Sequence, residues 1–214
     1  MVRPDYAGGG FVNLVASLVE ACGGAPRHSP LVCLPVDELR SARNVVFLLV
    51  DGLGDNYLQA NGANGQIARH RRDAISAVFP STTASAITTS FTGATPLEHG
   101  LTGWFTYFSA AACVGAPLPF QRRGEKASLG VAPERIFVER SLFETLAVRS
   151  IVVSYRPIID SLYNLHHCGG AERRAYADLA GFVDETVNAV KSGAQRKLVY
   201  AYWPQFDALA HRHG

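Results

Sequence analysis

Apolar positions along the chain fall into runs with two distinct periods. Phe11, Leu14, Val15, Leu18, Val19 and Cys22 recur at helical spacing, which predicts an amphipathic helix over 11–22. Asn13, Ser17 and Glu20 interrupt that run, so it reads as a core helix and not as the apolar stretch of a leader peptide. Residues 23–43 are rich in Gly, Pro and Ser and read as a connection. The run from Asn44 to Val50 has no polar alternation and predicts a strand buried on both faces of a parallel sheet. It stops at Asp51-Gly52-Leu53-Gly54, where the glycines allow a tight turn.

Further strands are predicted over 74–79, 150–155 and 198–203, with a strand or hairpin over 104–112. Helices are predicted over 84–91, 141–148 and 172–190. Residues 113–135, with several Pro, Gly and charged residues, read as an excursion or lid. Alternating strands and helices imply an α/β fold, a three-layer αβα sandwich with a mostly parallel central sheet, as one domain over 1–214. Such sheets bind ligands beyond the carboxyl ends of their strands.

Composition narrows the function classes. Hydrophobic residues make up 48% and charged residues 18% of 214, enough for a sizeable core. A net charge of +2 with scattered basic residues gives no footprint for a nucleic-acid polymer. No apolar run reaches bilayer length, so no membrane partner is expected. Cys22, Cys33, Cys113 and Cys168 are widely spaced without a C-x-x-C pair, which fits reduced thiols in a cytoplasmic protein. Oligomeric state is not legible.

Three segments carry candidate chemistry. Asp51 follows a predicted strand and is either a turn residue or a hard oxygen ligand for a divalent metal. Ser81, Thr82 and Thr83 precede a predicted helix after Pro80. A hydroxyl there can cap the helix, or can act as a nucleophile among free N–H groups that attract phosphate. Asp207 and His211 are four apart, one face of a helix, and form either a surface pair or a two-ligand zinc unit. Tyr202 and Trp203 read as core or pocket wall. A G-x-S-x-G elbow and a Walker A loop are absent, and Gly52-Leu53-Gly54 lacks the third glycine of a dinucleotide fingerprint. Together the three segments would make a metal-assisted hydrolase site.

As a set, the segments resemble the alkaline phosphatase superfamily, and within it the type I phosphodiesterase/nucleotide pyrophosphatase family. The resemblance rests on Leu48-Leu49-Val50-Asp51-Gly52-Leu53-Gly54, on Phe79-Pro80-Ser81-Thr82-Thr83, on Thr92-Gly93-Ala94-Thr95-Pro96-Leu97-Glu98-His99-Gly100, and on Asp207-Ala208-Leu209-Ala210-His211-Arg212-His213-Gly214. It implies an alkaline-phosphatase-like fold and hydrolysis of phosphodiesters or nucleotide pyrophosphates, small-molecule substrates, by way of a covalent phospho-threonine. By position it implies Thr83 as nucleophile, Asp51 with Thr83 on one of two divalent metal ions, taken as Zn2+, and Asp207 with His211 on the other. Cys33-Leu34-Pro35-Val36-Asp37 starts like a sulfatase signature but has Asp where Arg belongs.

Two departures qualify the resemblance. Where nucleotide pyrophosphatases hold phosphoryl oxygens with an asparagine, this chain has Trp104, a candidate substrate-binding residue that points to a different phosphate or phosphonate ester. The family also has an Asp-His pair and a final histidine beyond the Asp207 segment. The resemblance therefore implies the N-terminal part of a longer enzyme. The competing expectations are a non-catalytic remnant or binding module, and a phosphonate or phosphomonoester hydrolase of the same superfamily.

Overall fold

The computed structural model describes residues 2–213. Four parallel strands form the central sheet: β1 (Asn44–Val50), β5 (Arg149–Tyr155), β6 (Glu172–Tyr176) and β7 (Lys197–Trp203), in the order β1-β7-β5-β6. A separate antiparallel sheet holds β2 (Thr106–Phe108), β3 (Cys113–Ala116) and β4 (Gln121–Arg122). Alternation along β1 and β7 divides the core in two. Val45, Phe47, Leu198, Tyr200 and Tyr202 face the layer that contains helices α1 (Phe11–Ala21), α2 (Thr83–Thr92) and α3 (Leu162–Cys168). Ile151, Val153, Val199 and Ala201 face α4 (Leu179–Lys191) through Phe182 and Ala189. A last helix, α5 (Gln205–His213), follows β7. The expected α/β layers with a mostly parallel sheet are present.

The buried amide and hydroxyl side chains of α1 and α2 described next are paired, which explains how a hydroxyl-rich helix lies inside. Asn13, fully buried in α1, accepts the Gly10 N–H at 3.0 Å and donates to the carbonyls of Tyr6 and Ser29 at 2.9 and 2.8 Å. Ser17 accepts the Leu31 N–H at 2.8 Å. In α2, Thr88 bonds Tyr163 at 2.7 Å and Ser90 bonds Tyr200 at 2.9 Å. The Ser85 hydroxyl donates to the Leu101 carbonyl at 2.8 Å. Each of these hydroxyls thus keeps a partner, and burial costs little. Lys197, 1% exposed, extends its ammonium to the Val190 and Gly193 carbonyls at 3.2 and 3.3 Å and so closes the C-terminal end of α4.

Four elements differ from the sequence-based expectation. β1 is an edge strand rather than one buried on both faces. Val45 and Phe47 are buried, whereas Val46 and Leu48 are 42% and 49% exposed on the face that α4 covers only farther across the sheet. A groove of about 910 Å³ runs beside β1 toward the segment 73–78. Residues 74–79, expected as a strand, make one bridge, Ser76 to Gly10. Residues 141–148 contain a single 3-10 turn, Leu142–Glu144, capped by Ser141. The predicted helix over 172–190 splits into β6 and α4. Glu172 pairs with Arg149 and, at 2.8 Å, with Arg174, charges that suit a sheet edge. Asp178 then starts the helix by accepting the Gly181 N–H at 2.8 Å.

Candidate active site

The parallel register aligns Val50 of β1 with Trp203 of β7, and the Asp51 N–H donates to the Trp203 carbonyl at 3.0 Å. Asp51 therefore leaves β1 at the carboxyl edge, beside the start of α5, where Asp207 lies in the first turn. Gly52 makes the approach feasible. Its φ of +75° suits glycine, and a Cβ there would sit 3.0 Å from both Cα and Cβ of Asp207.

Thr83 enters the same place from the other side. Thr82 is the N-cap of α2, its side chain accepting the Ser85 N–H at 3.4 Å, which makes Thr83 the first helical residue. The first-turn N–H groups of a helix have no intrahelical acceptor and carry the positive end of its dipole. Asp51, Thr83 and Asp207 all line one cavity of about 420 Å³. Ser81 lies instead on the groove beside β1.

Tyr202 completes the site. It points inward from β7, 5% exposed, and its hydroxyl donates to Asp51 Oδ2 at 2.7 Å. Burial raises the Asp51 carboxyl above the usual carboxylate range. The Tyr202 hydrogen bond pulls it down, the charge of Asp207 raises it further, and the Gly52 N–H and the nearby Thr83 hydroxyl favour the ionised form. Burial likewise pushes the Tyr202 phenol up, and the Asp51 charge adds to it, so it remains a donor.

His211 meets only part of the expectation. Its Nε2 lies 3.4 Å from Asp207 Oδ2, as the i, i+4 spacing predicts, but its side chain is 80% exposed. Two carboxylates, a hydroxyl and an imidazole are donor types that suit a divalent ion. Among the described residues, however, no group of three or more His, Cys, Asp or Glu side chains is arranged to hold one. Trp104, 45% exposed, forms part of the cavity wall with Leu118, Pro119 and Gln121, which come from the 113–135 excursion. His99 belongs to the core. Its Nδ1 accepts the Leu101 N–H at 3.1 Å, so the proton sits on Nε2, 3.3 Å from the Thr89 hydroxyl.

A hydroxyl and two carboxylates thus meet at the carboxyl edge of a parallel α/β sheet, the place where proteins of this fold class bind their ligands. The family model for type I phosphodiesterase / nucleotide pyrophosphatase matches residues 45–214, most of the chain, and the chain belongs to that family. Membership indicates hydrolase activity of the phosphodiesterase and nucleotide pyrophosphatase kind, on small phosphate esters. Comparison with curated proteins and with solved structures returns no match. No helix among the described residues is long and apolar enough to cross a membrane.

Proposed function

We propose that the chain carries the nucleophile of a metal-dependent phosphodiester hydrolase that works through a covalent phospho-threonine. The observation that supports this reading best is the convergence of Thr83, Asp51 and Asp207 on one cavity from three separate parts of the sequence. Asp51 with Thr83, and Asp207 with His211, are the residues that would hold divalent ions, taken as Zn2+. When bound, such ions supply Lewis-acid stabilisation of the attacking and leaving oxygens. The remaining work falls to the chain's own groups. Asp51, held by Tyr202, orients the Thr83 hydroxyl and favours loss of its proton. The N-terminal end of α2 faces the phosphoryl group with N–H donors. Thr83 Oγ then attacks phosphorus in line, the ester oxygen departs with the electron pair of the breaking P–O bond, and water later cleaves the phospho-threonine.

The test is turnover of a chromogenic phosphodiester with added zinc. Thr83→Ala is expected to lower the rate on the order of 10³-fold or more while zinc binding persists. Full activity in that variant would refute the assignment of Thr83. The exposed His211 and the two-ligand pairs favour a second reading, a binding module without turnover. Zinc and inorganic phosphate binding with no turnover on diester, monoester or phosphonate would support it. The four free thiols fit a reducing, cytoplasmic setting for either reading.

A further inference from the structure

Two polar side chains border the cavity that Thr83 lines and keep hydrogen-bonding capacity that the fold does not use. The first is Ser154 of β5. Val153 is aligned with Ala201 of β7 and faces α4, so Ser154, one residue on, points to the opposite face with Tyr200 and Tyr202. It is 2% exposed in a strand otherwise built of Ile and Val at its centre, and its hydroxyl has no hydrogen-bond partner among the described residues. The second is Asn164 of α3, 6% exposed. Its Nδ2 donates to the Ile158 carbonyl at 2.6 Å, and its backbone N–H donates to the Ser161 hydroxyl at 3.2 Å. The Ile158 carbonyl only accepts, so the amide orientation is fixed and Oδ1 is left as a free acceptor. Among the described residues the one unpartnered polar side-chain atom sealed from solvent is His167 Nε2. The Ser154 hydroxyl and Asn164 Oδ1 therefore reach open space, and the open space that both residues border is the cavity.

Buried polar groups keep a partner as a rule, and a few precisely placed ones in a cavity wall fix the orientation of what binds there. From Ser154 and Asn164 we infer a second binding position in the cavity, separate from Thr83 and the carboxylates, that takes a neutral hydroxyl group of the ligand. A hydroxyl is the neutral group that serves either partner, donating to Asn164 Oδ1 and accepting from the Ser154 O–H. An ammonium group offers donors only, and would leave water with no counter-ion among Ser154, Ser161 and Asn164. A methyl group in the same place leaves both polar atoms unpaired, which is how a cavity rejects an analogue that lacks the hydroxyl. The inference rests on the phosphoester reading above and deepens it: the part of the substrate remote from phosphorus is an aliphatic alcohol that carries a further hydroxyl. It uses no charge in the cavity and so holds whichever ions Asp51 and Asp207 would bind.

The test is calorimetric titration of the zinc-supplemented protein with hydroxyalkylphosphonates of graded chain length, the hydroxyl at the far end. Each is paired with the alkylphosphonate that has a methyl in place of that hydroxyl. At the chain length that spans the cavity, the hydroxyl compound is expected to bind about tenfold tighter than its methyl counterpart, the scale of one or two neutral hydrogen bonds. Ser154→Ala is expected to cut that advantage several-fold and to leave the Tm of the metal-free protein unchanged, because the hydroxyl holds nothing in the fold. Asn164→Leu is expected to remove the remainder, at a cost in Tm from the Ile158 carbonyl that loses its donor. Equal affinities at every chain length, or an advantage that survives both substitutions, would overturn the inference and leave the phosphoester reading standing. A marked fall in the Tm of Ser154→Ala would assign that hydroxyl to the fold and overturn it likewise. Failure of every phosphonate to bind would overturn the phosphoester reading, and this inference with it.

Discussion

Two buried histidines make the fold sensitive to acid, and the size of the effect can be worked out from their surroundings. His99 uses both ring nitrogens in the neutral form. Nδ1 accepts from the Leu101 backbone, and a proton placed there would confront that N–H. His167 is fully buried in α3. Its Nδ1 lies 2.9 Å from the Tyr163 carbonyl and so carries the proton, and Nε2 has no partner. Its ring lies 4.1 Å from that of Tyr163 and 4.7 Å from that of Phe137. Burial lowers the pKa of His99 to about 4 and that of His167 to about 3. In the unfolded chain both return to about 6.5. Between those values the unfolded state binds more protons, so stability falls as the pH drops.

From about pH 7.5 to about pH 5, each histidine costs about 2 kcal/mol at ~1.4 kcal/mol per unit below 6.5, about 4 kcal/mol for the pair. That is a large share of a typical ~5–15 kcal/mol. For a chain of this length it corresponds to a drop in Tm of about 10 °C. Asp51 opposes the trend, because its raised pKa adds stability on acidification. Glu98 does not enter this range. Burial alone would raise it, but hydrogen bonds from Thr95 and His28 bring it down to about 2, and its contribution is lost only below about pH 4.5. The assay is thermal unfolding of the metal-free protein by circular dichroism across this range, beside His167→Phe. The variant places a ring among Phe91, Phe137 and Tyr163 and should lose about half of the pH dependence. A flat profile in the wild type, or an unchanged slope in the variant, would refute the reasoning.

Three further outcomes follow from single contacts. Tyr202→Phe removes the donor to Asp51 and should weaken zinc binding about 10–100-fold and move the acid limb of the rate profile to higher pH, with titration and kinetics as the readouts. An unchanged affinity and profile would show that Asp51 needs no such support. Gly52→Ala puts a Cβ against Asp207 at positive φ, and should cost about 2 kcal/mol or more in urea unfolding. Lys197→Met strips the Val190 and Gly193 carbonyls of their buried partner and should cost about 2–4 kcal/mol in the same assay.

What could be read in the chain depended on whether its signal was local. β7 and α2 were legible because an uninterrupted apolar run and a Pro-Ser-Thr-Thr start are contiguous features. β6 was not legible as a strand. Tyr176 falls at helical spacing from Leu179 and Phe182, and that accident extended the helix backward over Glu172, Arg173 and Arg174. The available counter-signal was Asp178 three residues before Gly181, a helix start that forbids the extension. The double-sided burial expected of β1 failed for another reason. An apolar run reports only that a strand can be covered on both faces, whereas covering depends on which elements lie alongside.

At the site, the hydroxyl cluster left three candidates open on local grounds, and the fold separates them by geometry. Thr82 is occupied as the cap, Ser81 turns to the groove, and Thr83 lines the cavity with Asp51 and Asp207. Tyr202 was legible as core or pocket wall, but not as the donor to Asp51. That role depends on the β1–β7 register, which sets residues 151 positions apart within 2.7 Å. The alternation of Tyr200 and Tyr202 on one face of β7 was the one hint, since two phenols pointing into a core must each find an acceptor or donor. Tyr200 finds Ser90 behind the site. Tyr202, one turn of the pleat nearer the carboxyl edge, finds the carboxylate itself. The same periodicity therefore supplies a contact within the core at one position and a contact at the cavity that Thr83 lines at the next.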